Sequence, residues 1–145
     1  MSPVSRDAET PEGLPRGSET ILVADDEPSI LHAAERLLTR LGYTVLTARN
    51  GHEVLDVCRR AETAIDLVIL DVNMPGHSGS EAYLALRREG IRARVLFMSG
   101  AGAGELRGEL ERALQVGFLA KPWTAAEFAG RVRAMLDEDD DRYSE

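Results

Sequence analysis

The chain of 145 residues contains one cysteine, one tryptophan and one lysine, and no apolar run approaches the roughly 20 residues of a membrane-crossing helix. Each scarcity excludes a class of protein. Cys58 alone cannot close an internal disulfide, and the N-terminal sequence MSPVSRDAETPEGLPRGSE lacks the apolar stretch that a secretory signal requires. The expected setting is a reducing cytoplasm, with no membrane partner. Basic residues are in deficit: 17 Lys and Arg stand against 25 Asp and Glu, a formal net charge of −8. The broad basic face of a nucleic-acid binder is therefore not expected. With 43% hydrophobic and 29% charged residues the composition is globular, and the length suits one domain.

The negative charge gathers at the ends. Residues 1–20 hold two basic and four acidic groups and residues 137–145 hold one and six, leaving 14 basic against 15 acidic over the 116 residues between. The first end, with Pro3, Pro11, Pro15, Gly13 and Gly17 and few large apolar side chains, buries too little surface to offset its chain entropy. Residues 1–19 and the acidic 137–145 are expected to be disordered tails around one domain at 20–136.

Within that domain, short apolar runs at Ile21–Ala24, Tyr43–Ala48, Ile65–Leu70, Val95–Met98 and Gly117–Ala120 alternate with amphipathic stretches. The first, third and fourth runs are apolar on consecutive residues, which predicts strands buried on both faces of a parallel sheet. Ile30, Ala34, Leu37 and Leu41 have helical spacing, as do Phe128, Val132 and Met135. Asn50 with Glu53 and Thr124 with Glu127 are spaced as helix-start caps, and Gly42 stands where the first helix should end. Five strand-then-helix units predict an α/β fold: a doubly wound, five-stranded parallel sheet with helices on both faces and right-handed crossovers.

Such sheets gather ligand chemistry at the carboxyl ends of their strands. There the sequence places Asp25-Asp26-Glu27 after the first strand and Asp71-Val72-Asn73-Met74-Pro75 after the third. Ser99-Gly100 follows the fourth and Lys121-Pro122 the fifth. An Asp-Asp pair after a strand is by itself an ordinary helix cap with a solvated neighbour. In the flavodoxin-like strand order 2-1-3-4-5, however, all four ends would converge and three carboxylates would share one pocket. Like charges that close raise a carboxyl pKa and oppose folding unless a cation offsets them. A hard divalent ion is expected, and Mg²⁺, which keeps much of its water and also takes phosphate oxygens, suits the setting.

The segments ILVADDEP, LVILDVNMPGHSG, VLFMSG and GFLAKPW, in this order and spacing, resemble the motifs of the receiver domain of two-component response regulators over about residues 20–136. The resemblance implies a flavodoxin-like (βα)5 fold. It also implies that Asp71 accepts a phosphoryl group from a phosphohistidine on a sensor histidine kinase or a histidine phosphotransfer protein. Asp25 and Asp26 would position Mg²⁺, or Mn²⁺ in its place, Asp26 directly and Asp25 through water, while Asn73 lends its backbone carbonyl. Lys121 would pair with the phosphoryl group, Ser99 would move toward it, and Phe118 would rotate inward as Ser99 moves. The Lys121–Pro122 peptide would be cis, and Trp123 is expected to pack. That Lys121 is the one lysine among 17 basic residues adds weight, because a compact ammonium and a planar guanidinium are not interchangeable at an anion.

The implied protein is a signalling domain rather than a conventional enzyme, catalysing at most its own phosphotransfer and dephosphorylation. It would switch binding of a downstream protein through the face of the fourth helix, fifth strand and fifth helix, or pass the phosphoryl group on in a relay. No output module is expected after Leu136. Two positions depart from the family pattern: His77 is usually apolar, and Ala101 is short for its place two residues past Ser99. Ala101 also lies in a run of alternating glycines, Gly100 to Gly104, expected to be mobile and to shield an aspartyl phosphate poorly. His32, His52 and His77 lie on different elements without ligand spacing. Two other functions fit the residues less well. A haloacid-dehalogenase-like phosphatase also uses a strand-end aspartate but needs a second carboxylate two residues on, where this chain has Asn73. A pseudo-receiver acting without phosphorylation would have no need of the intact Asp25, Asp26, Asp71, Ser99 and Lys121.

Overall fold

The computed structural model describes residues 13–74, 78–100 and 116–138. In chain order the elements are β1 (Thr20–Ala24), α1 (Pro28–Arg40), β2 (Thr44–Ala48), α2 (Gly51–Arg60), β3 (Leu67–Asp71), α3 (Gly79–Arg88), β4 (Arg94–Ser99), β5 (Gly117–Ala120) and α4 (Ala125–Asp137). The strands are all parallel and lie in the expected order, β2-β1-β3-β4-β5. The helix expected between the fourth and fifth strands falls in residues 101–115, outside the described residues.

Successive side chains of a strand point to opposite faces of its sheet. Ile21 and Val23 therefore join Leu67, Ile69, Leu96 and Met98 under α1 and α4. Leu22 and Ala24 join Val68, Leu70, Val95 and Phe97 under α2 and α3. With helices on both sides the middles of these three strands are dry: residues 21–24, 67–70 and 95–98 are all fully buried, while Thr20 and Arg94 at the strand starts are half-buried. This is why their sequences run apolar without alternation. Truncating one such side chain, Phe97→Ala for example, costs about 3–5 kcal/mol in lost burial and cavity. β2 lies at the sheet edge, and its first four residues are correspondingly half-buried or exposed.

Helix ends follow local chemistry. Pro28 opens α1, where its missing N–H would have had no intrahelical partner. Gly42 follows the last turn at φ +106°, a left-handed conformation that favours glycine and turns the chain into β2. Asn50 accepts from Glu53 N at 2.9 Å, while Glu53 reaches back to Arg49 N, one residue further out than a reciprocal cap would place it. Thr124 and Glu127 form the full reciprocal pair before α4. Ser78 and Glu81 form another before α3. Along α1 the buried stripe is Leu31, Ala34, Leu37 and Leu38, with Leu41 beyond it; Ile30 is rotated to the edge of that face and is half-buried.

The approach to β1 is fastened to the rest. Leu14 packs on the core beneath α1 and α4, and Gly17 N donates to Leu41 O at 3.1 Å. The guanidinium of Arg133 donates to Arg16 O (3.0 Å), Tyr43 Oη (3.2 Å), Glu19 Oε2 (2.6 Å) and Asp137 Oδ1 (2.9 Å). A β-carbon on Gly17 would lie 2.4 Å from both Arg133 Nη1 and Tyr43 Cε1, so the clasp closes only over glycine. Residues 1–12 and 139–145 of the expected tails lie outside the described residues. Among the described residues no helix is long and apolar enough to cross a membrane.

Candidate functional site

The strand register brings four chain segments to one edge of the sheet. Ala24 pairs with Leu70, Asp71 with Met98 and Ser99 with Ala120, so β1, β3, β4 and β5 finish side by side. Asp25, Asp71, Ser99 and Lys121 follow or close those strands. The backbone locks the ends together: Val72 N donates to Met98 O (2.9 Å), Gly79 N to Val72 O (2.9 Å) and Lys121 N to Ser99 O (2.8 Å). Gly79 is a functional position that the sequence reading missed. A β-carbon there would lie 2.6 Å from Asp71 O, so only glycine lets α3 begin this close to the strand end. The signal was a glycine just after a capping serine, at a helix start where glycine has no intrinsic advantage.

Lys121 Nζ is the centre of the site. It hydrogen-bonds Asp25 Oδ2 at 3.1 Å and forms ion pairs with Asp71 Oδ1 at 3.4 Å and Glu27 Oε1 at 3.5 Å. Asp25 is fully buried, its other oxygen accepting from Glu27 N at 2.9 Å. Asp26 is exposed. One carboxylate oxygen from each of Asp25, Asp26 and Asp71 lies within 4.8 Å of the others, and among the described residues no histidine or cysteine joins the group. These are hard oxygen donors, two buried and one open to water, as a divalent cation with retained hydration requires.

The electrostatics follow from this crowding. Burial, and then the negative charge of Asp25, push the Asp71 carboxyl up from 3.8 to about 6, against the opposing pull of Lys121 and the Asn73 amide. Burial works to lower the Lys121 ammonium, but its hydrogen bond with Asp25 and the charges of Asp25 and Asp71 outweigh it and hold the pKa above its usual value. The site therefore combines a carboxylate of raised basicity, a fixed ammonium beside it and a cluster of metal-type oxygen donors.

The remaining expected site residues fall around this centre. Ser99 is buried at the end of β4, and Phe118 is buried on β5 with its ring centroid 5.3 Å from that of Phe97. The Lys121–Pro122 peptide is cis. Trp123 stacks on Phe128 at 4.3 Å and 17°. His77 and Ala101, the two departures noted above, lie outside the described residues, as does the run from Ala101 to Gly104. The sequence reading also missed Glu27 as a partner of Lys121. Its only signal was a third acid after Asp25-Asp26. A cleft of about 700 Å³ lined by Cys58, Ile65, Arg92 and Arg94 lies at the opposite end of the sheet, remote from these groups.

Residues 21–133 match the family model for the response regulator receiver domain. Over 124 residues the chain is 32% identical to the sensor kinase CckA of Brucella abortus (strain 2308), a match covering 86% of this chain and 13% of that protein. It is 34% identical over 123 residues to the alkaline phosphatase synthesis transcriptional regulatory protein PhoP of Bacillus subtilis (strain 168), covering 82% and 49%. Among solved structures, the chemotaxis protein CheY4 of Vibrio cholerae superposes with a TM-score of 0.74 at 27% identity, over 82% of this chain and 99% of that one. The chain thus spans half or less of the length of these two curated relatives and almost all of CheY4.

Proposed function

The chain belongs to the response regulator receiver domain family, and from that footing we propose that Asp71 accepts a phosphoryl group from a phosphohistidine on a partner sensor histidine kinase or histidine phosphotransfer protein. The observation that carries this reading is the position of Asp71 at the end of β3, between the oxygen donors of Asp25 and Asp26 and the ammonium of Lys121. A strand-end carboxylate in such surroundings is a competent nucleophile for an acyl phosphate.

The donor set of Asp25, Asp26 and Asp71 fits Mg²⁺, with Mn²⁺ as a substitute, and the backbone carbonyl of Asn73 would add a further oxygen. When bound, the ion supplies neutralising charge for phosphoryl oxygens. The protein's own groups do the rest. Asp71 presents the attacking oxygen, Lys121 holds a positive charge 3.4 Å from that carboxylate, and Ser99 offers a hydroxyl from the neighbouring strand end. Movement of Ser99 toward the phosphoryl group, with Phe118 following, would carry the signal to the surface around β5 and α4. There a downstream protein would read it in the cytoplasm, or the phosphoryl group would pass to the next histidine of a relay.

Intact mass after incubation with acetyl phosphate and Mg²⁺ tests the assignment. Wild type should gain one phosphoryl group, and it should gain none in EDTA. Uptake of the same mass by Asp71→Asn would overturn the choice of acceptor.

A further inference from the structure

Glu27 is not absorbed by the phosphoacceptor reading. Its carboxylate lies 3.5 Å from Lys121 Nζ, and its side chain is 59% exposed, against 14% for Lys121, 8% for Asp71 and none for Asp25. Of the three carboxylates around the lysine it is the one that faces solvent. Its backbone is fixed, because Glu27 N donates to Asp25 Oδ1 and Glu27 is the residue from which α1 starts.

Charge separates Glu27 from its neighbours. A divalent cation and the Lys121 ammonium together balance the three aspartates. Among the described residues around Lys121, Glu27 is then the surplus negative charge, and it lies on the solvent-facing side of the ammonium. Fixed charge at a mouth alters the approach of charged ligands according to their own charge, and salt weakens that effect. We propose, resting on the phosphoacceptor reading above, that Glu27 is a positioning residue that steadies Lys121 from its solvent-facing side. There it weights the site against free dianionic acyl phosphates and in favour of phosphodonors that carry phosphorus on a protonatable nitrogen.

The transfer itself is the same for both donor classes. An Asp71 carboxylate oxygen forms the new O–P bond. With acetyl phosphate the old P–O bond breaks and its electron pair leaves on acetate; with phosphoramidate the P–N bond breaks and the pair leaves on nitrogen, already protonated, as ammonia. Acetyl phosphate approaches as a dianion, whereas phosphoramidate carries one net negative charge and shares its P–N bond with phosphohistidine. Glu27 acts on the approach and on Lys121, not on the bonds.

Initial rates of phosphorylation with the two donors, at saturating Mg²⁺ and low ionic strength, test this on the full chain. Glu27→Gln should raise the acetyl phosphate rate by about threefold to fivefold relative to the phosphoramidate rate, the scale of one screened surface charge. Glu27→Asp, which keeps the charge, should return the ratio toward wild type, and added salt should narrow the difference. Calorimetric titration gives a readout apart from turnover: Mg²⁺ should bind Glu27→Gln about twofold more weakly than wild type or Glu27→Asp. A ratio unmoved in Glu27→Gln, or both rates changed by one common factor, overturns the inference and leaves Asp71 as acceptor. If neither donor phosphorylates wild type, the acceptor reading itself falls, and the inference with it.

Discussion

Lys121 Nζ lies nearer to the buried Asp25, at 3.1 Å from Oδ2, than to Asp71, at 3.4 Å from Oδ1. Two carboxylates almost sealed from water thus share one ammonium, and that ammonium rests on the partner that is not the acceptor. Lys121 is part of what allows the acidic pocket to fold.

Lys121→Met should therefore destabilise the metal-free protein by about 3–5 kcal/mol, the usual consequence of leaving buried charge uncompensated. Mg²⁺ should restore most of the loss, since it offsets the same carboxylates. Urea unfolding in EDTA and in Mg²⁺ measures both. A variant as stable as wild type in EDTA would show that Lys121 does not balance the pocket.

The two acids after β1 should differ in metal binding. Both oxygens of Asp25 are engaged, by Lys121 and by Glu27 N, whereas Asp26 is exposed with its oxygens open to an ion. Asp26→Ala is expected to weaken Mg²⁺ binding by about tenfold or more, and Asp25→Ala by less. Calorimetry, supported by the fluorescence of Trp123 beside the site, ranks them; equal losses would refute the order.

Asp71 makes the metal-free protein sensitive to pH. Its carboxyl is raised to about 6 in the fold from an ordinary 3.8, so between those values the folded chain keeps a proton that the unfolded chain has lost. The contribution is fully present below about pH 4 and is lost as pH rises through 6. It amounts to something on the order of 2–3 kcal/mol. Chemical denaturation from pH 4 to 7 in EDTA should show wild type falling relative to Asp71→Asn, which has no such proton to lose. Parallel profiles would mean that the carboxyl is not raised.

The clasp at the other end of the molecule gives a prediction independent of phosphorylation. Arg133→Met removes hydrogen bonds to Arg16 O, Tyr43 Oη, Glu19 and Asp137 at a partly exposed position, and should cost about 1–2 kcal/mol. Gly17→Ala should cost at least as much, because its β-carbon has no room. Thermal melts decide, and phosphorylation rates should be unaffected in both variants.

Much of this was legible in the chain. Strands buried on both faces leave no polar positions along their middles, so residues 21–24, 67–70 and 95–98 show as unbroken apolar runs, and the polar residues that follow them mark the site directly. The edge strand β2 and the stripe of α1 were less sharp: Ile30 and Leu31 are equally apolar, and only packing decides that Leu31 points inward. The strand order brings Lys121 to the acidic pocket, but the choice among tertiary partners left no trace. Arg133 meets Glu19 across 114 positions and Lys121 meets Asp25 across 96, and no local pattern records which acid a distant cation will choose. The Ser78–Glu81 cap went unread because Pro75, Gly76 and His77 before it resemble a loop more than a helix entry.

The hydrogen bond from Lys121 N to Ser99 O yokes two strand ends that carry different chemistry. A backbone shift at Ser99 would drag Lys121 with it, and a load placed on the ammonium would be felt at the hydroxyl. The two side chains can respond separately only by rotating about their own bonds. A larger excursion that kept this bond would have to shear β4 and β5 together, carrying a local event at one carboxylate to the sheet's outer margin.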